Sequence, residues 1–216
     1  MNADSVSSPS RVLTGLAMLT GLAIVGAVVA ILTEQQTRDR IAEKQRTHVL
    51  RILHELVTPD SYDNDLLADA ITVISEELLG TARPVTVYRA SINGEFVAAI
   101  VGSVAPDGYG GPIRLLVGID RNGVLTGVRV AHHQETPNLG AEISQDRSDW
   151  ILGFDGRSLD NPPASGWSVR RDGGKFDQFT GATISPRATV RAVHRALIYF
   201  SDNRDEVFAV APGAAE

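Results

Sequence analysis

From Val12 to Leu32 the chain runs for 21 residues without a charged side chain. At a helical rise of about 1.5 Å per residue this stretch reaches about 30 Å, the thickness of a bilayer's hydrocarbon core. It reads as a retained membrane anchor. A cleaved signal peptide would have an apolar region of about 7 to 15 residues ending at small residues spaced A-x-A, and neither condition is well met. Arg11 and the amino terminus flank one side, and Arg38, Arg40, Lys44 and Arg46 the other. A Lys/Arg count therefore does not favour a cytoplasmic N-terminus, although large C-terminal domains translocate regardless of nearby charge.

With 216 residues, 43% of them hydrophobic, the chain has material for one anchor and one packed domain. A formal charge of -6 and the lack of a basic stripe argue against a nucleic-acid binder. Cysteine is absent, which excludes disulfides, thiolate-bound zinc, cysteine-ligated iron–sulfur clusters and thioether-linked haem. Any redox role needs another cofactor.

Beyond the anchor, Thr33 to Val57 is polar at first and then carries Val49, Ile52, Leu53 and Leu56 at helical spacing, which predicts a stalk helix docked by its distal end. Pro59 and Asp60 close it. Leu67, Ile71, Ile74 and Leu78 predict a second helix over Leu66 to Leu79, ended by Gly80. Asp63, Asp65 and Asp69 lack the twelve-residue calcium pattern and read as capping and solvating residues. The rhythm then changes. Val85 to Ala90 and Phe96 to Val101 flank Asn93-Gly94, while Ile113 to Ile119 and Val124 to Ala131 flank an Asp120 to Gly123 turn, giving two hairpins of an antiparallel or mixed sheet. Helices before and after those strands point to an α+β domain, and no Rossmann glycine signature is present.

The most informative stretch is Asp177-Gln178-Phe179-Thr180-Gly181-Ala182-Thr183, followed by Ser185-Pro186 and a helix marked by Val190, Val193, Leu197 and Phe200. Ser185 suits the N-cap, Pro186 suits the first helical position, and Thr183 falls just ahead of the cap. Unpaired amides and the positive end of the helix dipole would face a phosphate here, and Gly181 and Ala182 leave room for a bulky ligand. On the residues alone two readings stand: an ordinary capping turn, or an attachment site. His132 and His133 are adjacent and diverge in extended backbone, so shared metal coordination would need ligands from elsewhere. Trp150 and Trp167 read as core or interface aromatics.

The string DQFTGAT resembles the motif Asp-x-x-Ser/Thr-Gly-Ala-Thr/Ser, at which a flavin transferase esterifies the phosphate of FMN to the last hydroxyl, here Thr183. GYGGPIRLLVGID (108–120), HHQETPNLG (132–140) and SDWILGFDG (148–156) are similar to G subunits of the Rnf electron-transport complex, and the likeness extends forward to the anchor. Two positions depart from the family: Asn138 stands where Gly is usual, and Ser185 where Thr is usual. Asn tolerates left-handed backbone, so the loop need not break.

This resemblance implies an α+β protein with a single N-terminal transmembrane helix, a stalk helix and an antiparallel or mixed-sheet FMN-binding domain. Its parts would be a cytoplasmic tail (1–11), the membrane helix (12–32), a helical stalk and subdomain (33–84), the FMN-binding domain (85–200) and a C-terminal tail (201–216). It implies that Thr183 carries FMN as a phosphoester, as an anchor and not as an acid or base, with Thr180, Gly181 and Ala182 shaping the turn. Glu135, Thr136, Asn138 and Gly140 would form the pocket loop, and Tyr109 and Gly110 would border the cavity. The partners implied are the other Rnf subunits and, during maturation, a flavin transferase, with the flavin domain on the periplasmic side of a bacterial inner membrane. Two alternatives remain: the C subunit of a sodium-pumping NADH:quinone reductase, with the same attachment chemistry, and a non-redox tethered interaction or sensory module whose TGAT turn is only a cap.

Overall fold

The computed structural model describes residues 13, 18–23, 26, 46–47 and 49–209. Most of the expected anchor, the tail 1–11, the first part of the stalk and the residues after 209 lie outside the described residues. Those of 12–32 and of 46–49 that are described are helical, and among the described residues no helix is long and apolar enough to cross a membrane. Met1–Val49 and Leu50–Glu216 are two compact units.

The second unit is built on a five-stranded sheet whose strands lie in chain order: β1 (Ala70–Ser75), β2 (Thr81–Ile92), β3 (Glu95–Ala105), β4 (Ile113–Asp120) and β5 (Leu125–His132). Every neighbouring pair is antiparallel. The turns fix the register. Asn93 and Gly94 both take positive φ, 52° and 79°, which the tight β2–β3 hairpin needs to match the strand twist. At the β4–β5 turn, Asp120 Oδ1 accepts from the Asn122 and Val124 amides, both at 2.8 Å. The resulting register aligns Ile71, Val87, Val101, Val117 and Val128 in one row across all five strands. The four valines are fully buried, so a β-branched row that fits a pleated surface also forms the floor of the main core.

The segment Leu66 to Leu79 is not the second helix that its spacing predicts. It forms β1 and then a single helical turn, α2 (Glu76–Leu79), ended by Gly80 at φ 71°. The spacing of Ile71 and Ile74 fits a helix, but Ile71 and Val73 pack on the core while Ile74 is 64% exposed, a period of two. Ile71 to Ile74 are four consecutive β-branched residues, and Ala70 to Val73 pair with β2 through Val85 to Tyr88. The sheet therefore begins inside the segment expected to be helical.

One face of the sheet is covered by α3 (Ile184–Asp202), which buries Ala188, Ala192 and Ala196 at four-residue spacing along with Val193, Leu197 and Phe200. On the other face lies α1 (50–56), which with the following residue buries Ile52, Leu53, Leu56 and Val57. Gly118 and Gly127 are register partners, and they leave the trough that Leu56 fills: a Cβ on either would come within 3.2 or 3.1 Å of that side chain. Arg129 Nε donates to Glu55 at 2.9 Å beside it. At the far end of the chain, α4 (Arg204–Phe208) stacks Phe208 on Phe96, and Arg89 donates to the Ala209 carbonyl at 2.6 Å and pairs with Asp69. Asp63 and Asp65 accept from backbone amides, and no group of metal-ligating side chains occurs among the described residues.

Leu53 is fully buried between α1 and the sheet, so Leu53→Ala should cost about 2–5 kcal/mol of unfolding free energy. The change should be seen as a lower urea midpoint with an unchanged slope.

Candidate functional site

Phe179 to Ala182 make a tight turn closed by the Ala182 amide donating to the Phe179 carbonyl at 3.1 Å, with Gly181 at φ 80°. A side chain at that third position would be strained, which is why glycine stands there. The chain passes directly from the turn into α3. Thr183 is the N-cap, in helical conformation (φ -83°, ψ -23°), and its carbonyl already accepts from the Arg187 amide at 3.2 Å. Its side chain makes no capping hydrogen bond.

This corrects the expectation that Ser185 caps the helix and that Pro186 opens it. Ser185 and Pro186 are the second and third helical residues, positions at which the missing proline amide is harmless because the first turn has no intrahelical acceptor. Ser185 is fully buried, and its hydroxyl donates to Glu135 Oε2 at 2.7 Å. The capping reading of this turn thus fails for both hydroxyls: one points elsewhere, and the other makes no cap bond.

A cleft of about 160 Å³ opens to solvent beside Thr183. One wall is Gly181, Ala182, Thr183, Ile184 and Ser185; the opposite wall is Glu135, Thr136, Leu139 and Gly140 from the segment after β5; Tyr109, ahead of β4, stands at the rim. Among the described residues Tyr109, Leu139 and Ile184 are large apolar side chains left 72, 43 and 45% exposed, and all three line this one cleft. Clustered exposure of that kind marks a surface built to be covered.

Of the residues singled out from the sequence, Tyr109, Glu135, Thr136, Gly140, Gly181, Ala182 and Thr183 line the cleft. Thr180, Asn138 and Gly110 do not. Thr180 is exposed on the turn, and Asn138 takes φ 59°, the left-handed conformation that glycine would otherwise supply. Gly110 lies behind the wall, where its amide donates to Glu135 Oε1 at 3.1 Å. Sequence reasoning missed Leu139 and Ile184 as lining residues. The available signal was an apolar residue within each polar loop. His133 Nδ1 accepts from the Glu135 amide at 3.1 Å, so this ring serves the loop's own geometry.

Beneath the turn lies an aromatic stack. Trp150 meets Phe179 and Phe154 edge-on at 5.5 and 5.4 Å, Phe154 stacks on Phe176 at 4.7 Å, and Trp167 lies against Phe176 and His194. The Trp150 indole N–H donates to the Asp177 carbonyl at 2.9 Å, which ties the start of DQFTGAT to the core. Outside, Arg187 holds Asp172 through two hydrogen bonds of 2.5 and 2.8 Å, and this pairing keeps the Asp172 carboxyl below its ordinary range. Burial holds His194 below the ordinary histidine value.

Sheet, helix and hydroxyl-bearing cleft together define a domain of the FMN-binding class, and residues 108–198 match the FMN-binding domain family. The chain is 50% identical to the G subunit of the ion-translocating oxidoreductase complex of Pseudomonas aeruginosa over 194 residues, 89% of this chain and 91% of that protein. It is 45% identical to the protein of the same name from Shewanella amazonensis (88% of this chain, 89% of that one) and 40% identical to the one from Aliivibrio fischeri (88% and 90%). The chain belongs to the G-subunit family of Rnf-type ion-translocating oxidoreductase complexes.

A methyl group on Gly140 would overlap Glu135 Oε2, so Gly140→Ala should destabilise the protein by about 1–3 kcal/mol. Gly153→Ala, with no atom within 4 Å of the new methyl, should stay within about 0.5 kcal/mol of wild type in the same urea melt. The depressed pKa of His194 means that the unfolded chain takes up this proton first as pH falls below about 6.5. Stability should therefore decline with acidification through that region, and thermal melts of His194→Gln between pH 7.5 and 5 should show a shallower decline.

Proposed function

We propose that this chain is the FMN-carrying, electron-transferring subunit of an Rnf-type ion-translocating oxidoreductase, with FMN held as a phosphoester on Thr183. The observation that carries the reading is the Thr183 hydroxyl: it stands in the wall of the apolar-rimmed cleft, at the N-terminus of a 19-residue helix, without a side-chain capping bond. Helix N-termini favour phosphate through free amides and the helix dipole. The residues present suit the group: Tyr109, Leu139 and Ile184 offer apolar surface to a flat ring system, and Thr136 offers a hydroxyl at its edge.

FMN, once bound, supplies the redox chemistry by alternating between oxidised and reduced states. The protein's own residues bind and orient. Ester formation needs an activated donor, because a phosphate monoester has no good leaving group. A flavin dinucleotide would serve as that donor: Thr183 would supply the oxygen that bonds the flavin-side phosphorus as the pyrophosphate bond breaks, with the nucleoside monophosphate as the leaving group and the hydroxyl proton passing to a base of the flavin transferase. Thr183 takes no further part in turnover. Relatives at 40–50% identity bear the name of an ion-translocating oxidoreductase subunit, which supports placing this chain in such a complex as a redox subunit. Without cysteine, the chain leaves iron–sulfur centres to its partner subunits.

The uncharged run 12–32 supports a single-pass anchor. Its orientation in the inner membrane, with the tail 1–11 cytoplasmic and the FMN-binding domain, 85–200, periplasmic, follows the family resemblance against the Lys/Arg count. Of the segment 33–84 between them, β1 and the start of β2 already belong to the domain's sheet, and α4 within 201–216 packs on it.

Co-expression with a flavin transferase, denaturation and in-gel fluorescence test the attachment. Wild type should retain flavin, with an FMN-sized mass addition on the peptide containing Thr183. Thr183→Ser should keep the label and Thr183→Ala should lose it. A label that persists in Thr183→Ala would move the attachment to Thr180 or Ser185 and overturn the assignment.

A further inference from the structure

Glu135 is 5% exposed, and it is clamped on both oxygens. Oε1 accepts from the Gly110 amide at 3.1 Å, and Oε2 from the Ser185 hydroxyl at 2.7 Å. Three chain segments meet at this one carboxylate: the loop before β4, the loop after β5 and the first turn of α3. Two glycines make space for it. A Cβ on Gly108 would come within 2.8 Å of Oε1, and one on Gly140 would overlap Oε2. Gly110, whose amide is the third element of the clamp, has its own Cβ position filled by the Gln134 carbonyl. The sequence thus forgoes side chains at two positions, Gly108 and Gly140, to seat one carboxylate against the helix that bears Thr183.

Resting on the attachment reading above, we infer that Glu135 is a positioning residue for flavin attachment: by holding Ser185 it fixes the first turn of α3 and presents the Thr183 hydroxyl to the incoming flavin phosphate. Ser185 is two residues from Thr183, so a loosened first turn misplaces the nucleophile directly. The same bond withdraws Ser185 from the chemistry, since its hydroxyl is buried and donates inward. Of the three hydroxyls between residues 180 and 185, Thr180 stands outside the cleft, Ser185 is committed, and Thr183 remains. Glu135 acts here through hydrogen bonding and not through its charge. A glutamine could keep both links, its carbonyl accepting from Gly110 and its amide donating to the Ser185 oxygen.

The test is the rate of covalent flavin incorporation into the purified full-length chain in detergent, with purified flavin transferase and a flavin dinucleotide, read by fluorescence of the denatured protein and by peptide mass. Ser185→Ala and Glu135→Met should each slow incorporation at Thr183 by roughly 10- to 100-fold, the scale on which a misplaced reacting group is felt. Ser185→Thr and Glu135→Gln should incorporate at a rate close to wild type. The double variant Ser185→Ala/Glu135→Met should be no slower than the slower single variant, because both remove one shared interaction. Far-UV circular dichroism and thermal midpoints taken on the same samples report the folded fraction, and rates are compared per folded molecule. The inference is overturned if Ser185→Ala and Glu135→Met incorporate as fast as wild type, or if Glu135→Gln is as slow as Glu135→Met. A wild type that takes up no flavin at all overturns the attachment reading, a result separable from failure of the clamp.

Discussion

The packing of α3 on the five-stranded sheet is the constraint from which the rest of the molecule follows. The valine row Val87–Val101–Val117–Val128 lies on the buried face, and Ala188, Ala192 and Ala196 leave the helix little bulk of its own. Burying such a face contributes about 25 cal/mol per Å² of apolar surface, so the helix cannot slide or rotate without exposing a large part of the core. A helix fixed along its length is also fixed at its ends. Its N-terminus is where Thr183 stands, so a site that needs a hydroxyl at one place in space inherits its rigidity from the hydrophobic core and not from the loop around it.

The loops that complete the cleft are held by short-range devices. Gly181 at positive φ turns the chain into α3, Asn138 at positive φ turns the segment after β5, and Trp150 ties Asp177 to the aromatic stack. Across the gap, Glu135 joins the two walls through Ser185. That bond ties the two sides of the cleft together, although they come from segments fifty residues apart in the chain.

Much of this was legible in the sequence, and the failures have a common cause. The hairpins were readable because their turns carry residues with a local conformational requirement, Asn93-Gly94 and Asp120 to Gly123. The helix from Pro186 onward was readable from its apolar spacing. What misled was information supplied by distant partners. β1 has apolar residues at positions compatible with a helix, and only pairing with β2 decides the matter. Ser185 is a good cap in isolation, yet a carboxylate fifty residues upstream takes its hydroxyl and shifts the helix start to Thr183. Leu139 and Ile184 escaped notice because an apolar residue in a loop acquires meaning only when two loops meet. The turn from Phe179 to Ala182 was legible because Gly181 answers a local requirement, φ 80°, whereas its reading as an attachment motif came from the family resemblance.

A shallow, apolar-rimmed cleft and a covalent tether make physical sense together. The rim residues Tyr109, Leu139 and Ile184 keep much of their surface in solvent, so this domain alone encloses a ligand only in part. Non-covalent affinity grows with burial and preorganised contacts, and an open cleft limits both. A deeper pocket would retain the flavin better but would also wrap its ring in protein, away from the groups with which it must exchange electrons. On the proposed function, the phosphoester on Thr183 separates these requirements. Retention is assigned to a covalent bond at the helix N-terminus, and the ring end stays at the surface, where a partner protein can approach it and cover the remaining apolar side chains. The exposed Tyr109, Leu139 and Ile184 then belong to two contacts at once, one with the cofactor and one with the assembly.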